Sequence, residues 1–273
     1  MKYFDAHCHI QFPQYDEDRT EVMAAMAAQG IGGIVVGVDL PSTKKAVELV
    51  HDVPTLFAST GLHPNSADEF TDGIAPFAEL AADSKVVAIG ECGLDNYRPG
   101  DVEAAKPLQR EVFLAHVHLA AQTRKPLMIH ARPARGTQDA YDDLIDILAS
   151  AKQEYGDALT GNIHFFVGGV DEARKLIELD FTLSYTAVLT FARDYDDVVR
   201  FAPATHLITE TDSPYVAPAP NRGKRNDPRA IPAVVDAIAG IRSEDPEAVR
   251  VHILQNVERV FRIPPALLEF EAA

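Results

Sequence analysis

The amino-acid sequence predicts an α/β protein, one (β/α)8 barrel over residues 1–273, and three observations lead there. Eight short runs rich in Val, Ile, Leu and Phe alternate with segments of helical period along the whole chain. Several of these runs are nearly continuous in apolar residues, as expected of parallel strands covered on both faces. The length of 273 residues is that at which eight such units close into a barrel. Strands alternating with helices imply right-handed βαβ crossovers and a parallel sheet. A doubly wound open sheet would satisfy the same alternation, but no G-x-G-x-x-G or Walker segment follows an early strand.

In chain order the strand-like runs are KYFDAHCHI from Lys2, GIGGIVVGVD from Gly30, TLFASTGLHP from Thr55 and KVVAIGECGLD from Lys85. PLMIHAR from Pro126, NIHFFVGG from Asn162, FTLSYTAVL from Phe181 and HLITETDSP from His206 follow. Helical period is read over 18–29, where Gly30 is a plausible stop, and over 42–51, where Ser42 can cap. Further helices are expected over 72–82, 102–123, 138–155, 171–179 and 194–201. Two more, over 231–241 and 245–261, close the chain, with Pro246 suited to a first helical turn. The stretch 217–229 is the longest irregular segment, and long loops in compact domains tend to be functional.

Composition narrows the function classes. With 47% hydrophobic and 24% charged residues, the chain has ordinary globular composition and is not disordered throughout. Two cysteines, Cys8 and Cys92, cannot form a disulfide framework, which fits a reducing compartment. No run approaches the ~18 apolar residues of a membrane span. MKYFDAHCHI does not read as a signal peptide, so a cytoplasmic protein without a membrane partner is expected. The net charge of −16 counts against broad nucleic-acid binding, which depends on Lys and Arg meeting phosphates.

The placement of the ten histidines is informative. His7 and His9 are two apart on the first strand, and alternation puts them on one face together with Asp5. Glu91 closes VVAIGE, His130 closes PLMIH, His164 sits in NIHFF and Asp212 closes LITETD. Each lies at or near the C-terminal end of a different strand, the rim where barrels carry their chemistry. Four imidazoles and two carboxylates at one mouth suit two divalent ions such as Zn, Mn, Mg or Ni. The remaining histidines fit structural roles. His116 and His118, two apart on a helix, point in very different directions; His51 and His252 fall on helical segments, and His206 starts rather than ends its strand. Cys8 and Cys92 each neighbour one of the six residues, so alternation turns them under the helices as buried thiols.

DAHCH near the start, GLHP at Gly61, AIGECGLD at Ala88, IHAR at Ile129, HFFVG at His164 and ETDSPYVAP at Glu210 resemble the TatD-like metal-dependent hydrolases. RGKRNDP at Arg222 resembles that family's basic Asn-Pro segment, and the likeness spans about residues 5–228. It implies a metal-dependent barrel of the amidohydrolase superfamily, with deoxyribonuclease activity the best-known assignment of the TatD-like family. It further implies His7, His9, Glu91, His130, His164 and Asp212 as metal ligands and His63 as an active-site residue. The segment between His130 and His164 carries an acidic run of Asp139, Asp142, Asp143 and Asp146, longer than the family pattern.

On this reading Glu91 bridges two ions and Asp212 is the general base for an attacking water. His63 binds the scissile phosphate or protonates the leaving oxygen. Glu210 orients a ligand histidine rather than serving as a seventh ligand. Arg132, two residues beyond His130, either reaches a phosphate bidentately or pairs with the acidic helix that follows, while Arg222, Lys224 and Arg225 form a basic loop suited to phosphate. From 219 to 229 four basic residues face one acidic, so substrate DNA would be held locally, at ends or in single strands. The alternative is an ester or amide hydrolase, such as one removing a D-aminoacyl group from tRNA. A barrel that binds nucleic acid or protein without turnover would not need all six ligand-type residues.

Overall fold

Parallel pairing runs from the first strand to the eighth in sequence order. The computed structural model describes residues 1–97 and 102–270. The single unit expected over 1–273 therefore includes residues 98–101 and 271–273, which lie outside the described residues. The strands are β1 (Tyr3–Cys8), β2 (Ile31–Val36), β3 (Leu56–Thr60) and β4 (Val86–Asp95). They continue with β5 (Leu127–Arg132), β6 (Gly161–His164), β7 (Phe181–Tyr185) and β8 (Leu207–Thr209). Beyond β8 the chain returns to β1: Cys8 bridges Ser213, and the Asp212 amide donates to the His7 carbonyl at 2.9 Å. The sheet is thereby a nearly closed barrel, the predicted architecture rather than an open sheet.

The helices are α1 (Arg19–Ala28), α2 (Leu40–Val50), α3 (Ala75–Ala81), α4 (Val102–Thr123) and α5 (Asp139–Tyr155). After them come α6 (Val170–Glu178), α7 (Asp196–Phe201), α8 (Ile231–Arg242) and α9 (Pro246–Phe261). Two expectations need correction. Asp39, not Ser42, caps α2: its carboxylate accepts the Ser42 amide at 2.7 Å, and the Asp39 amide in turn donates to the Ser42 hydroxyl at 3.1 Å. The capping box thus starts three residues before the expected cap. The helix expected over 72–82 is α3 alone, preceded by 3-10 turns over Pro64–Asp72 whose backbone kinks at Ser66 and Phe70.

Burial follows the alternation. A large cluster packs Phe113, Leu144, Leu176 and Ile238 of the helices against Ile129, Ile163 and Leu183 of the strands. A smaller one joins Val22 and Met26 of α1 and Ala46 of α2 to Val35 and Cys8. Cys8 and Cys92 are fully buried, and burial pushes both thiols well up, as inert core residues require. Asp142, Asp143 and Asp146 form a solvated face of α5. Asp139 instead accepts the Ala134 amide at the helix start and pairs with Lys106. Among the described residues no helix is long and apolar enough to cross a membrane.

Two irregularities in the ladder precede the site. The β1–β2 register shifts between Asp5 and Cys8, and the β4–β5 register between Ile89 and Cys92. Such bulges re-aim the side chains that follow them. Here these are His7 and Glu91. Close approach of β4 to β5 also restricts composition: a Cβ on Gly93, at φ +145°, would meet the His130 carbonyl oxygen at 1.9 Å.

Candidate metal centre

The six ligand-type residues converge at one end of the barrel. His7 Nε2 lies 3.1 Å from His9 Nε2 and 3.3 Å from Glu91 Oε2. Asp212 Oδ1 is 3.4 Å from His9 Nε2 and 3.8 Å from His7 Nε2. The other oxygen of Glu91, Oε1, faces His130 Nδ1 at 3.0 Å, His164 Nε2 at 3.4 Å and His63 Nε2 at 3.5 Å. The His7 and His164 rings stack with centroids 3.7 Å apart. Asp5 departs from the expected grouping with these imidazoles. The bulge breaks the period-two count, and its buried carboxylate accepts the Thr211 amide at 2.9 Å and the His7 amide at 3.1 Å.

Partners outside the cluster decide which imidazole nitrogens face inward with a lone pair. His9 Nδ1 lies 3.0 Å from the Val36 carbonyl, so it carries the proton and Nε2 is the acceptor. His164 Nδ1 lies 3.1 Å from Glu210 Oε1, which also accepts the Phe165 amide at 2.6 Å. The second oxygen of Glu210 takes the Ser184 hydroxyl at 2.6 Å. Glu210 thus holds a histidine in place, the arrangement that commonly orients metal-ligating imidazoles. The β8 strand ends at Thr209, so Asp212 lies beyond it, with a left-handed φ of 51°.

His63 has the opposite polarity. Its Nδ1 accepts the Asn65 amide at 3.1 Å, so the neutral ring carries its proton on Nε2, aimed at Glu91. Burial pushes its pKa down to about 3, against the pull of Glu91. His63 is therefore a neutral donor at neutral pH.

Charge in the cluster is tightly coupled. Burial disfavours ionised Glu91, but His63, His164, His7 and His130 outweigh it and hold the carboxyl well below the usual range. Asp212 is likewise kept ionised against burial by His9, His164 and His7. Burial opposes charge on His164, yet Glu210 and Glu91 raise its pKa to about 10. Buried carboxylates meeting inward imidazole nitrogens are a donor set that exchanges protons for divalent cations. Among the described residues four trios have donor atoms within 4.8 Å of one another and could hold an ion. They are His7 with His164 and Glu210, His63 with Asp95 and His130, and two that share Glu91, namely His7 with His9 and Glu91, and Glu91 with His130 and His164.

Asp95 is a member of the cluster that sequence reasoning missed. Its Oδ2 lies 3.2 Å from His130 Nε2 and accepts the Asn65 side-chain amide at 3.0 Å. Burial opposes its ionisation, but the bond to His130 prevails and holds its carboxyl below the ordinary range. The signal was present: Asp95 is four residues beyond Glu91 on β4, and period two puts both on one face.

The four basic residues expected to meet substrate fare differently. The Arg132 guanidinium lies over the Tyr97 ring at 3.9 Å, and that of Arg222 over Phe191 at 4.0 Å. Among the described residues Arg132 makes no ion pair with the acidic helix; Lys106 takes Asp139 instead. Lys224 stands exposed in the loop. Both ends of the Arg225 fork are held by Asp18, at 2.8 and 2.5 Å, so this residue anchors the loop.

A family model described as TatD related DNase matches residues 4–262. The uncharacterized metal-dependent hydrolase YabD of Bacillus subtilis is 36% identical over 95% of this chain and 99% of its own. The uncharacterized metal-dependent hydrolase TatD of Mycobacterium tuberculosis is 34% identical over 94% and 97%. A relative from Erwinia billingiae, 30% identical over 96% and 99%, is named a 3'-5' ssDNA/RNA exonuclease. Among solved structures, the Escherichia coli TatD homologue YJJV superposes with a TM-score of 0.86 over 96% of this chain and 99% of its own, at 24% identity, which bears on the fold. This chain belongs to the TatD family and is a metal-dependent hydrolase.

Proposed function

We propose that this hydrolase cleaves phosphodiester bonds of DNA, at ends or in single strands, at a centre of two divalent cations. The observation that carries the reading is the position of Glu91, whose two oxygens face different sets of imidazoles. His7, His9 and Asp212 would hold one cation with Glu91, and His130 and His164 the other. Bound there, the two cations would supply Lewis acidity, making water nucleophilic at neutral pH and offsetting phosphate charge. Glu91 would hold both as a plain carboxylate, so no carboxylated lysine is required.

Asp212, held ionised beside His9, accepts the proton of the attacking water. His63 offers its Nε2–H to a phosphate oxygen; as a neutral imidazole it acts as a hydrogen-bond donor and not as a strong acid. Arg132, Arg222 and Lys224 add positive charge at the mouth. The name of the Erwinia relative points to the same substrate class.

Purified protein supplied with Mg2+, Mn2+ or Zn2+ is expected to degrade DNA. Asp212→Asn should lower the rate at least ~10²-fold, the usual scale for loss of a general base, with an unchanged circular dichroism spectrum. Equal activity in the variant would remove Asp212 from this role. Hydrolysis of aminoacyl-tRNA with none of DNA would transfer the same site to ester chemistry.

A further inference from the structure

Arginine–aromatic stacks stand on two sides of the barrel mouth. Tyr97 follows Asp95, the last residue of β4, and its amide donates to Asp95 Oδ1 at 2.9 Å. Arg132 ends β5 and lies over the Tyr97 ring. The strand pairing of Asp95 with Arg132, and the bond from the Asn96 amide to the Arg132 carbonyl at 2.8 Å, hold the two residues side by side. Across the mouth, on the β7–β8 side, Arg222 covers Phe191, and Tyr215 comes three residues after Asp212. The described residues leave three large apolar side chains exposed: Tyr97 at 49%, Tyr215 at 51% and Leu108 at 36%. Two of the three belong to this rim.

Resting on the nuclease reading above, we propose that the Tyr97–Arg132 stack is a platform for an unpaired base of the substrate, and that it gives the enzyme a preference for single strands over duplex. Aromatic rings and guanidinium planes accept any unstacked base face-on. A base inside a duplex has both faces covered by its neighbours and cannot use such a platform. A guanidinium held over a ring is also placed to meet the adjoining phosphate. The remainder of the surface supports the same choice. With a net charge of −16, the protein repels an extended duplex, while a few unpaired nucleotides can enter the mouth.

The test compares wild type with Tyr97→Ala, Tyr97→Phe and Arg132→Ala on a short single strand and on a blunt duplex of the same sequence. Tyr97→Ala should raise KM for the single strand on the order of tenfold, with a much smaller change in kcat and in duplex cleavage. Tyr97→Phe should retain the wild-type KM, because the ring face is kept, and Arg132→Ala should fall between the two. A second readout needs no turnover. The chain contains no tryptophan, so quenching of a 2-aminopurine base in the oligonucleotide, measured on chelator-treated protein, reports stacking on tyrosine. That quenching should disappear in Tyr97→Ala. An unchanged KM and unchanged quenching in Tyr97→Ala, or equal loss on single strand and duplex, would overturn the platform. If wild type cleaves neither form of DNA, the nuclease reading fails, and the fluorescence alone then upholds or rejects the platform.

Discussion

Glu91 presents Oε2 to His7 at 3.3 Å and Oε1 to His130 at 3.0 Å, from a side chain almost wholly buried at the end of the β4 bulge. A carboxylate so placed can be shared by two cations, whereas an amide of the same shape has one weak oxygen acceptor and one donor. Glu91→Gln is therefore expected to fold, to bind about one divalent ion per chain where wild type binds about two, and to lose at least ~10²-fold in hydrolysis. Elemental analysis of protein equilibrated with Mn2+ and passed over a desalting column measures the ratio. Equal metal content in the two proteins would rule out the bridge.

Glu210 touches no bond that is broken, yet it determines how His164 stands. Three donors converge on its buried carboxylate: His164 Nδ1, the Phe165 amide and the Ser184 hydroxyl. Glu210→Gln keeps the volume, but its amide nitrogen must face one of these donors. Loss of such an outer partner typically costs about 10–100-fold in metal affinity or activity. Calorimetric titration of chelator-treated protein with Zn2+ should show weakening of that order, and wild-type affinity would mean that His164 needs no such support.

His116 sets a pH dependence away from the metal centre. On α4 its Nδ1–H donates to the Val112 carbonyl at 2.8 Å, and its Nε2 accepts the Leu62 amide at 3.1 Å. Burial pushes its pKa down to about 4, whereas an unfolded imidazole titrates near 6.5. The unfolded chain therefore takes up a proton that the folded one refuses. The contribution is fully present above about pH 6.5 and falls as pH drops towards about 4, by about 3 kcal/mol in all. Urea unfolding at several pH values should give a flatter decline for His116→Gln than for wild type over this window. Parallel declines would exclude His116 as a source of the slope.

Much of this protein is legible along the chain. The eight apolar runs mark β1 to β8, and the expected helices 102–123, 231–241 and 245–261 match α4, α8 and α9 to within a residue at each end. His7, His9, Glu91, His130, His164 and Asp212 converge because one rim of a parallel barrel collects the C-terminal ends of its strands. What failed was counting through irregular backbone. A bulge between Asp5 and Cys8 separated Asp5 from the imidazoles, and β8 ends at Thr209, short of Asp212.

The sequence by itself determined the alternation of strands and helices and the residue types near strand ends, since strand and helix periods are local properties of the chain. Only the tertiary structure decided which nitrogen faces which carboxylate. His7 meets Asp212, and His164 meets Glu210, through pairings between strands far apart in sequence, and ring polarity depends on outside partners such as the Val36 carbonyl and the Asn65 amide. Arg225 and Arg132 look alike as positive charges in the sequence. Asp18 anchors the first because closure of the barrel brings the segment after β8 beside that after β1, and Tyr97 receives the second because β4 pairs with β5.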